Sequence, residues 1–161
     1  MPISHVVINA SPLIVLFKSG QADLLPQLFE QIIVPQAVYD EITAVKTDAA
    51  ATQLPAVPWS HCTAVPINPA ILPWDLGNGE SAVLSFALVN PGYRVMIDDA
   101  VARRCARALG IATLGTGGAI VLAKRRGLIP SVTEGLRRLQ DAGLWLSEDV
   151  INLLKQQAGE D

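Results

Sequence analysis

The sequence predicts an α/β fold in which a mostly parallel sheet is covered by helices on both faces. Short β-branched runs alternate with helical patterns, which is the order expected of βαβ units. These runs are almost uninterruptedly apolar, as strands buried on both faces are. With 161 residues, half of them hydrophobic, the chain is long enough for one substantial core. We therefore expect a single domain over residues 1–161.

Five short runs are the predicted strands, and each is short enough to lie inside a sheet. They are residues 5–8, 31–34, 94–97 and 111–114, with 144–146 as a further candidate.

Capping residues predict where several helices begin. Ser11-Pro12 is typical of an N-cap followed by the first helical residue, and Pro35 is typical of a helix start. Ser131 and Glu134 have the spacing of a capping box. A final amphipathic helix is expected at about 147–158.

Residues 47–74 differ from the rest of the chain because they are rich in Pro, Ala and Thr. We expect a long connection there, with a short strand around 63–67. Long ordered loops in compact domains are often functional or form interfaces. Trp59 and Trp74 could therefore contact a partner, or they could fold back on the domain.

Charge and cysteine content restrict the class of protein. The net charge is −3, but residues 1–90 carry seven acids and two bases, whereas residues 91–161 carry eight acids and ten bases. Such an asymmetry leaves nucleic-acid binding open. Cys62 and Cys105 have no paired spacing, and no secretory segment is recognisable, so we expect a cytoplasmic protein. No apolar run reaches the roughly 20 residues that span a bilayer, so we expect no membrane partner.

Polar residues that end two predicted strands mark a candidate site. Asn9 follows the first strand, and Asp98 and Asp99 follow the strand at 94–97. Ligands of open parallel sheets collect beyond the carboxyl ends of the strands. One of the two aspartates could instead be the N-cap of the next helix, which would leave the other for the site.

Two further acids lie on predicted helices. Glu41 lies at the edge of a buried helical face. Glu80 begins a helix, where it complements the helix dipole, but it also continues an apolar stripe with Val83 that points towards the sheet. The combined set of oxygen ligands suits Mg²⁺ or Mn²⁺; it consists of Asn9, Glu41, Glu80 and Asp98 or Asp99.

Basic residues could hold the phosphates of a nucleic acid. Arg103, Arg104 and Arg107 share one stripe of a helix and would contact phosphates without reading sequence. Thr116 begins another helix, whose backbone N–H groups could also hold a phosphate. Residues 124–126 close that helix, and there the helix dipole explains the positive charge equally well.

Four segments, taken in order, resemble the PIN-domain superfamily, and specifically its prokaryotic branch near the VapC-type toxins. They are INASPLIVLFKSGQADLLPQLFEQIIVPQAVYDEI, LGNGESAVLSFAL, VMIDDAVARRCARALGI and GTGGAIVLAKRRGLIPSV. The resemblance implies a three-layer α/β/α sandwich, an acidic pocket for Mg²⁺ or Mn²⁺, metal-dependent endoribonuclease activity and a homodimer.

Carried across residue by residue, the resemblance assigns roles to the same acids. Glu41 matches the acid late in the second helical region and Glu80 the acid at the start of the mid-chain helix. Asp99 is the preferred match to the acid after the next strand, with Asp98 beside it. At Asn9 the chain departs from the family, which usually has Asp there. An amide oxygen can still bind a hard cation, but the site loses one negative charge, so we expect weakened catalysis and an intact fold.

The resemblance thus implies a metal-dependent ribonuclease acting on single-stranded RNA, with a toxin role and an antitoxin protein as partner. The alternative is a PIN-like module that has lost turnover and acts by binding protein or nucleic acid. A third hypothesis is an α/β domain whose acids are only caps and surface charges. The hypotheses differ in whether Glu41, Glu80 and Asp99 gather around a cation.

Overall fold

A computed structural model describes residues 4–160 and contains one five-stranded parallel sheet. The strands are β1 His5–Ile8, β2 Gln31–Pro35, β3 His61–Thr63, β4 Arg94–Met96 and β5 Thr113–Leu114. Their order in the sheet is β3-β2-β1-β4-β5, and every neighbouring pair is parallel. The predicted α/β fold with a parallel sheet is confirmed.

Helices cover the sheet in two groups, which makes the predicted three-layer sandwich. The helices are α1 Ala10–Lys18, α2 Leu24–Leu28, α3 Gln36–Ala44, α4 Ala49–Gln53, α5 Asn78–Val89, α6 Ala100–Ala108, α7 Thr116–Arg125, α8 Val132–Asp141 and α9 Glu148–Gln157, with 3₁₀ turns at Leu54–Ala56 and Leu72–Trp74. In one group, α1 contacts α3 and α4, and α3 contacts α5. In the other group, α7 contacts α2, α8 and α9.

Strand β1 lies at the centre of the sheet and fixes the position of the candidate site. Val6, Val7 and Ile8 are completely buried, and burying each such side chain contributes about 1.5–3 kcal/mol relative to exposure. Ile8 pairs with Met96, and the Asn9 amide donates to the Met96 carbonyl at 3.1 Å. The residues that follow β1 and β4 are therefore brought to the same edge of the sheet.

Several predicted elements differ from the observed ones. Residues 144–146 form no strand; the Leu144 amide instead donates to the Leu139 carbonyl behind Gly143, whose φ is +112°. This bond closes the end of α8 and directs the chain into α9. Helix α1 begins at Ala10 with Asn9 as its N-cap, so Ser11 is already inside the helix.

The Pro- and Ala-rich stretch contains more regular secondary structure than predicted. It contains α4, and its strand comes earlier than expected, at β3. Trp59 stacks on Phe17 with ring centroids 6.0 Å apart, and Trp74 packs partly buried against the core. Both tryptophans therefore fold back on the chain. Within residues 4–160, no helix is long and apolar enough to cross a membrane.

Candidate metal-binding site

Asn9 is buried at the carboxyl end of β1 with an unsatisfied side-chain oxygen. Its side chain makes no capping bond to α1, and the residue is only 4% exposed. Its Oδ1 atom has no hydrogen-bond partner in the part of the chain that the structure describes. Buried side-chain oxygens are rarely left without a donor, and an unseen ion or water is a usual explanation.

Gly79 leaves open the space into which the Asn9 oxygen points. A Cβ atom built on Gly79 would lie 3.1 Å from Asn9 Oδ1 and 3.3 Å from Glu41 Oε1. Glu41 reaches this point because Val38 and Ile42 anchor one face of α3 in the core. Oxygens from β1 and α3 thus converge over the first turn of α5.

Glu80 adds a second carboxylate to this neighbourhood. Partial burial raises the pKa of the Glu41 carboxyl group above its usual value, and the negative charge of Glu80 raises it further. Glu80 itself is half-buried, with Oε2 2.6 Å from where a Cβ on Gly77 would lie. Its carboxylate therefore also sits over the N-terminus of α5, where the helix dipole favours it. Two like charges beside an orphaned amide oxygen would be relieved by a cation.

The two consecutive aspartates have different roles. Asp99 is exposed and is the N-cap of α6, where its Oδ2 accepts from the Ala102 amide at 2.8 Å. Asp98 is half-buried, and its Oδ1 and Oδ2 accept from the Thr116 amide and hydroxyl at 2.9 and 2.5 Å. The structure thus gives the capping role to Asp99, our preferred ligand, and leaves Asp98 held in place at the sheet edge.

The structure does not gather all the predicted acids into one cluster. Among residues 4–160, no three Asp, Glu, His or Cys side chains lie close enough together to hold a metal ion. The oxygens that do converge are those of Asn9 and Glu41, and the charge of Glu80 lies close enough to raise the pKa of Glu41. Such a set suits Mg²⁺ or Mn²⁺, which tolerate an amide oxygen and, for Mg²⁺ in particular, keep several water ligands.

The predicted phosphate-binding residues have different surroundings in the structure. Arg103 lies beside Asp98. A Cβ atom built on Gly115 would lie 2.9 Å from Arg103 Nη1 and 3.3 Å from Asp98 Oδ1. Arg104 and Arg107 are exposed on the same helix. Thr116 is completely buried, and the bonds to Asp98 occupy both its hydroxyl and its amide. Thr116 therefore orients Asp98 and presents no free donor to a phosphate.

Residues 124–126, by contrast, hold chain segments together. Lys124 donates to the Pro130 carbonyl at 2.6 Å and lies 3.4 Å from Glu160. Arg126 donates to the Leu28 carbonyl at 2.7 Å. These contacts explain the positive charge of Lys124 and Arg126 without a nucleic acid.

Sequence reasoning missed one residue that shapes the site and gave another a different role. Gly79, which was missed, supplies space by having no side chain. Thr116, which was predicted to hold a phosphate, instead donates to Asp98. The only signal for Gly79 was a glycine inside the first turn of a predicted helix, where glycine is normally unfavourable.

Comparison with known proteins identifies the family. No curated protein matches the sequence. The model of the DUF3368 family, a PIN domain, matches residues 5–160, which is nearly the whole chain. Together with the parallel-sheet sandwich, this match shows that the chain belongs to the PIN-domain family and has its nuclease-type fold.

Proposed function

We propose that the protein is a metal-dependent ribonuclease that hydrolyses phosphodiester bonds of single-stranded RNA in the cytoplasm, with residues 1–161 acting as one PIN-like domain. The observation that carries the proposal is the buried Oδ1 of Asn9, which has no described partner and converges with Glu41 over Gly79. Membership of the PIN-domain family supports a nuclease, and the unsatisfied oxygen indicates where a cation would be held.

Asn9, Glu41 and Glu80 would hold Mg²⁺ or Mn²⁺, with water completing the coordination. When bound, the cation would polarise the scissile phosphate and lower the pKa of a coordinated water. Glu41 and Glu80 supply the negative charge of the site, and Asn9 supplies a neutral oxygen. With one charge fewer than a site built on Asp, the cation is held more weakly, so activity is low and favours Mn²⁺.

Asp98 and Arg103 would act on the substrate side of the site. The two bonds from Thr116 fix both oxygens of Asp98, so this carboxylate can position a water or the cation's hydration shell without rearranging. The Arg103 guanidinium beside it would hold an RNA phosphate. Arg104 and Arg107 extend the positive surface along α6, where contacts to the backbone need no particular base.

Cleavage of end-labelled single-stranded RNA with Mg²⁺ or Mn²⁺ tests this proposal. Glu41→Gln and Asp98→Asn should each lower the rate at least tenfold, and Asn9→Asp should raise it. Asp40→Asn is the matched control, because Asp40 neighbours Glu41 but is exposed and accepts a hydrogen bond from Gln36. Cleavage by the native protein that persists in Glu41→Gln would contradict the assignment of the site.

The alternative is a PIN-like module that binds RNA or protein and has lost turnover. The observation in its favour is Asn9 itself, since the amide removes a charge at a position where the resemblance implies Asp. If Asn9→Asp cleaves RNA and the native protein only binds it, this alternative is correct.

We also propose that the protein is the toxin of a toxin–antitoxin pair and forms a homodimer. The resemblance to the VapC-type branch supports both statements. Induced expression should arrest growth of a bacterial host, and Glu41→Gln should abolish the arrest. Light scattering after size-exclusion chromatography measures the oligomeric state, and a monomer at micromolar concentration would refute the dimer.

A further inference from the structure

A cavity lies at the open edge of the sheet, beside β5. Its volume is about 340 Å³, and it is bounded by β4, β5, α7 and the end of α9. Leu114, Val121 and Leu122 form an apolar wall, while Arg94, Arg125 and Gln157 contribute polar groups. Among residues 4–160, no acidic residue lines it. The cavity therefore combines two positive side chains with an apolar surface.

Arg94 has an unsatisfied donor in the part of the chain that the structure describes. It is the first residue of β4 and is only partly exposed. Its Nε atom is buried without a hydrogen-bond partner in residues 4–160. Buried guanidinium N–H groups normally have an acceptor, so this donor indicates that an acceptor from outside these residues belongs here.

Arg125 faces the same cavity with a fixed orientation. Its Nε and Nη2 atoms both donate to the Gln157 carbonyl, at 2.9 and 2.6 Å. These bonds tie α7 to the end of α9 and leave Nη1 without an acceptor among the described residues. Two arginine side chains thus line one cavity to which no carboxylate of residues 4–160 contributes.

We propose that this cavity binds a small phosphate-bearing ligand of the size of a nucleoside monophosphate. The planar guanidinium groups of Arg94 and Arg125 match the spacing of phosphate oxygens. The apolar wall would cover the body of the ligand. The volume lies within the roughly 300–1,000 Å³ typical of small-molecule sites.

The cavity is distinct from the candidate metal site. Arg94 begins β4, and Asp98 lies beyond its carboxyl end, about 13 Å away for four residues of extended chain. Ligand binding at Arg94 therefore does not depend on a cation or on nuclease activity. The inference stands or falls separately from the proposed function.

A titration of metal-free protein in EDTA, followed by methyl NMR of Leu114 and Leu122, tests the inference. The probes are inorganic phosphate, adenosine monophosphate and adenosine. We expect saturable shifts of both methyl signals, with adenosine monophosphate binding at least tenfold more tightly than phosphate or adenosine. Arg94→Gln and Arg125→Gln should each weaken that binding at least tenfold.

Arg137→Gln is the matched control, because Arg137 is exposed and pairs with Glu134 and Asp141 on α8. It should bind the probes as the native protein does. If Arg94→Gln fails to fold, the exposed Arg125 decides the outcome. Absence of saturable shifts, or shifts that both arginine variants retain, overturns the site. Equal affinity for phosphate and adenosine monophosphate overturns the assignment to a nucleotide-sized ligand.

Discussion

Asn9 combines burial with an unsatisfied oxygen, and this combination accounts for both the fold and the chemistry at the end of β1. Its backbone amide continues the sheet by bonding to Met96, so the side chain is held at the edge where β1 and β4 end. An aspartate there would meet the negative charges of Glu41 and Glu80. The neutral amide of Asn9 avoids that repulsion when no cation is bound. It also attracts a bound cation less strongly than a carboxylate would.

Gly79→Ala should disable the site while leaving the fold intact. Gly79 is in the first turn of α5, so alanine gains up to about 1 kcal/mol of helix propensity. Its Cβ would, however, lie 3.1 Å from Asn9 Oδ1, in the space that a cation needs. We expect thermal unfolding within about 4 °C of the native protein and at least a tenfold loss of Mn²⁺ affinity by calorimetry.

Gly92→Ala is the control for this substitution, because a Cβ on Gly92 would have no atom within 4 Å. It should leave Mn²⁺ affinity unchanged. Native Mn²⁺ affinity in Gly79→Ala would show that the cation does not bind between Asn9 and Glu41.

Glu41→Gln should stabilise the metal-free protein at neutral pH. Burial and the charge of Glu80 raise the pKa of Glu41 in the folded state, so the folded protein holds this proton more tightly than the unfolded chain does. Stability is therefore lost as pH rises through the raised pKa. Because Glu41 is only partly buried and remains largely exposed to solvent, the gain in the variant is limited to about 1 kcal/mol. Urea unfolding in EDTA should show this gain at pH 7 and none at pH 4.

In millimolar Mn²⁺ the native protein should instead be more stable than Glu41→Gln, because only the native site binds the cation well. A variant that is less stable at pH 7 in EDTA would mean that the Glu41 charge makes a favourable contact instead.

Asp99 caps the N-terminus of helix α6. The aspartate that does not cap the helix remains free for the predicted site. Asp99→Ala removes the bond to the Ala102 amide and should lower the free energy of unfolding by about 1 kcal/mol. Asp99→Asn retains a hydrogen-bond acceptor at the N-cap, so it should lower the free energy of unfolding by only a few tenths of about 1 kcal/mol. Neither variant should lower the rate of RNA cleavage at a temperature where both are folded. Loss of cleavage without loss of stability in Asp99→Ala would return the ligand role to Asp99.

Helix α8 has an additional cap from a distant part of the chain. Glu160 accepts from the Val132 amide at 2.7 Å and from the Thr133 amide and hydroxyl at 3.1 and 2.8 Å. The bond from Val132, followed by those from Thr133, lowers the pKa of Glu160 to about 2. The stability that this carboxylate provides is therefore complete above its unfolded-state pKa and is lost as pH falls through about 2.

Glu160→Gln should accordingly lower the thermal midpoint at pH 7, and the difference from the native protein should shrink as pH falls from about 5 towards 2. Thermal unfolding by circular dichroism measures it, with the exposed Glu30→Gln as control. A difference that is constant with pH would exclude the charge of Glu160 as its cause.

At the level of elements, strands that are buried on both faces were predictable, whereas connections were not. The apolar runs located β1, β2, β4 and β5 to within one or two residues, because little else in the chain has that composition. The run at 144–146 is equally apolar but packs against the core after α8 without a strand neighbour. Asp98 and Asp99 are consecutive in the sequence, and a periodic pattern cannot tell which of them caps α6. The capping residue depends on the path of the chain after β4. The gap at Gly79 arises only when α3, α5 and β1 pack together.

At the scale of the whole molecule, as described by residues 4–160, the basic residues that end α7 and those on α6 have different surroundings. Lys124, Arg125 and Arg126 bond to carbonyl groups of other segments, while Arg104 and Arg107 on α6 are exposed and Arg103 lies beside Asp98. In a protein of net charge −3, RNA would be attracted where exposed arginines without an ion pair among residues 4–160 share one surface. Helix α6, which Asp99 caps, offers such a surface next to the proposed site.

The salt dependence of RNA binding should therefore fall when α6 loses its arginines. For single strands, the slope of log affinity against log salt is about −0.7 per neutralised phosphate. Replacing Arg103, Arg104 and Arg107 with Gln should reduce its magnitude by up to about 2. Fluorescence anisotropy with a labelled single-stranded RNA at several salt concentrations measures the slope, with EDTA present to prevent cleavage. Arg137→Gln, whose side chain is already paired with two acids, should keep the native slope. An unchanged slope in the triple variant would place the RNA on another surface, because counterion release reports only the phosphates that the protein contacts.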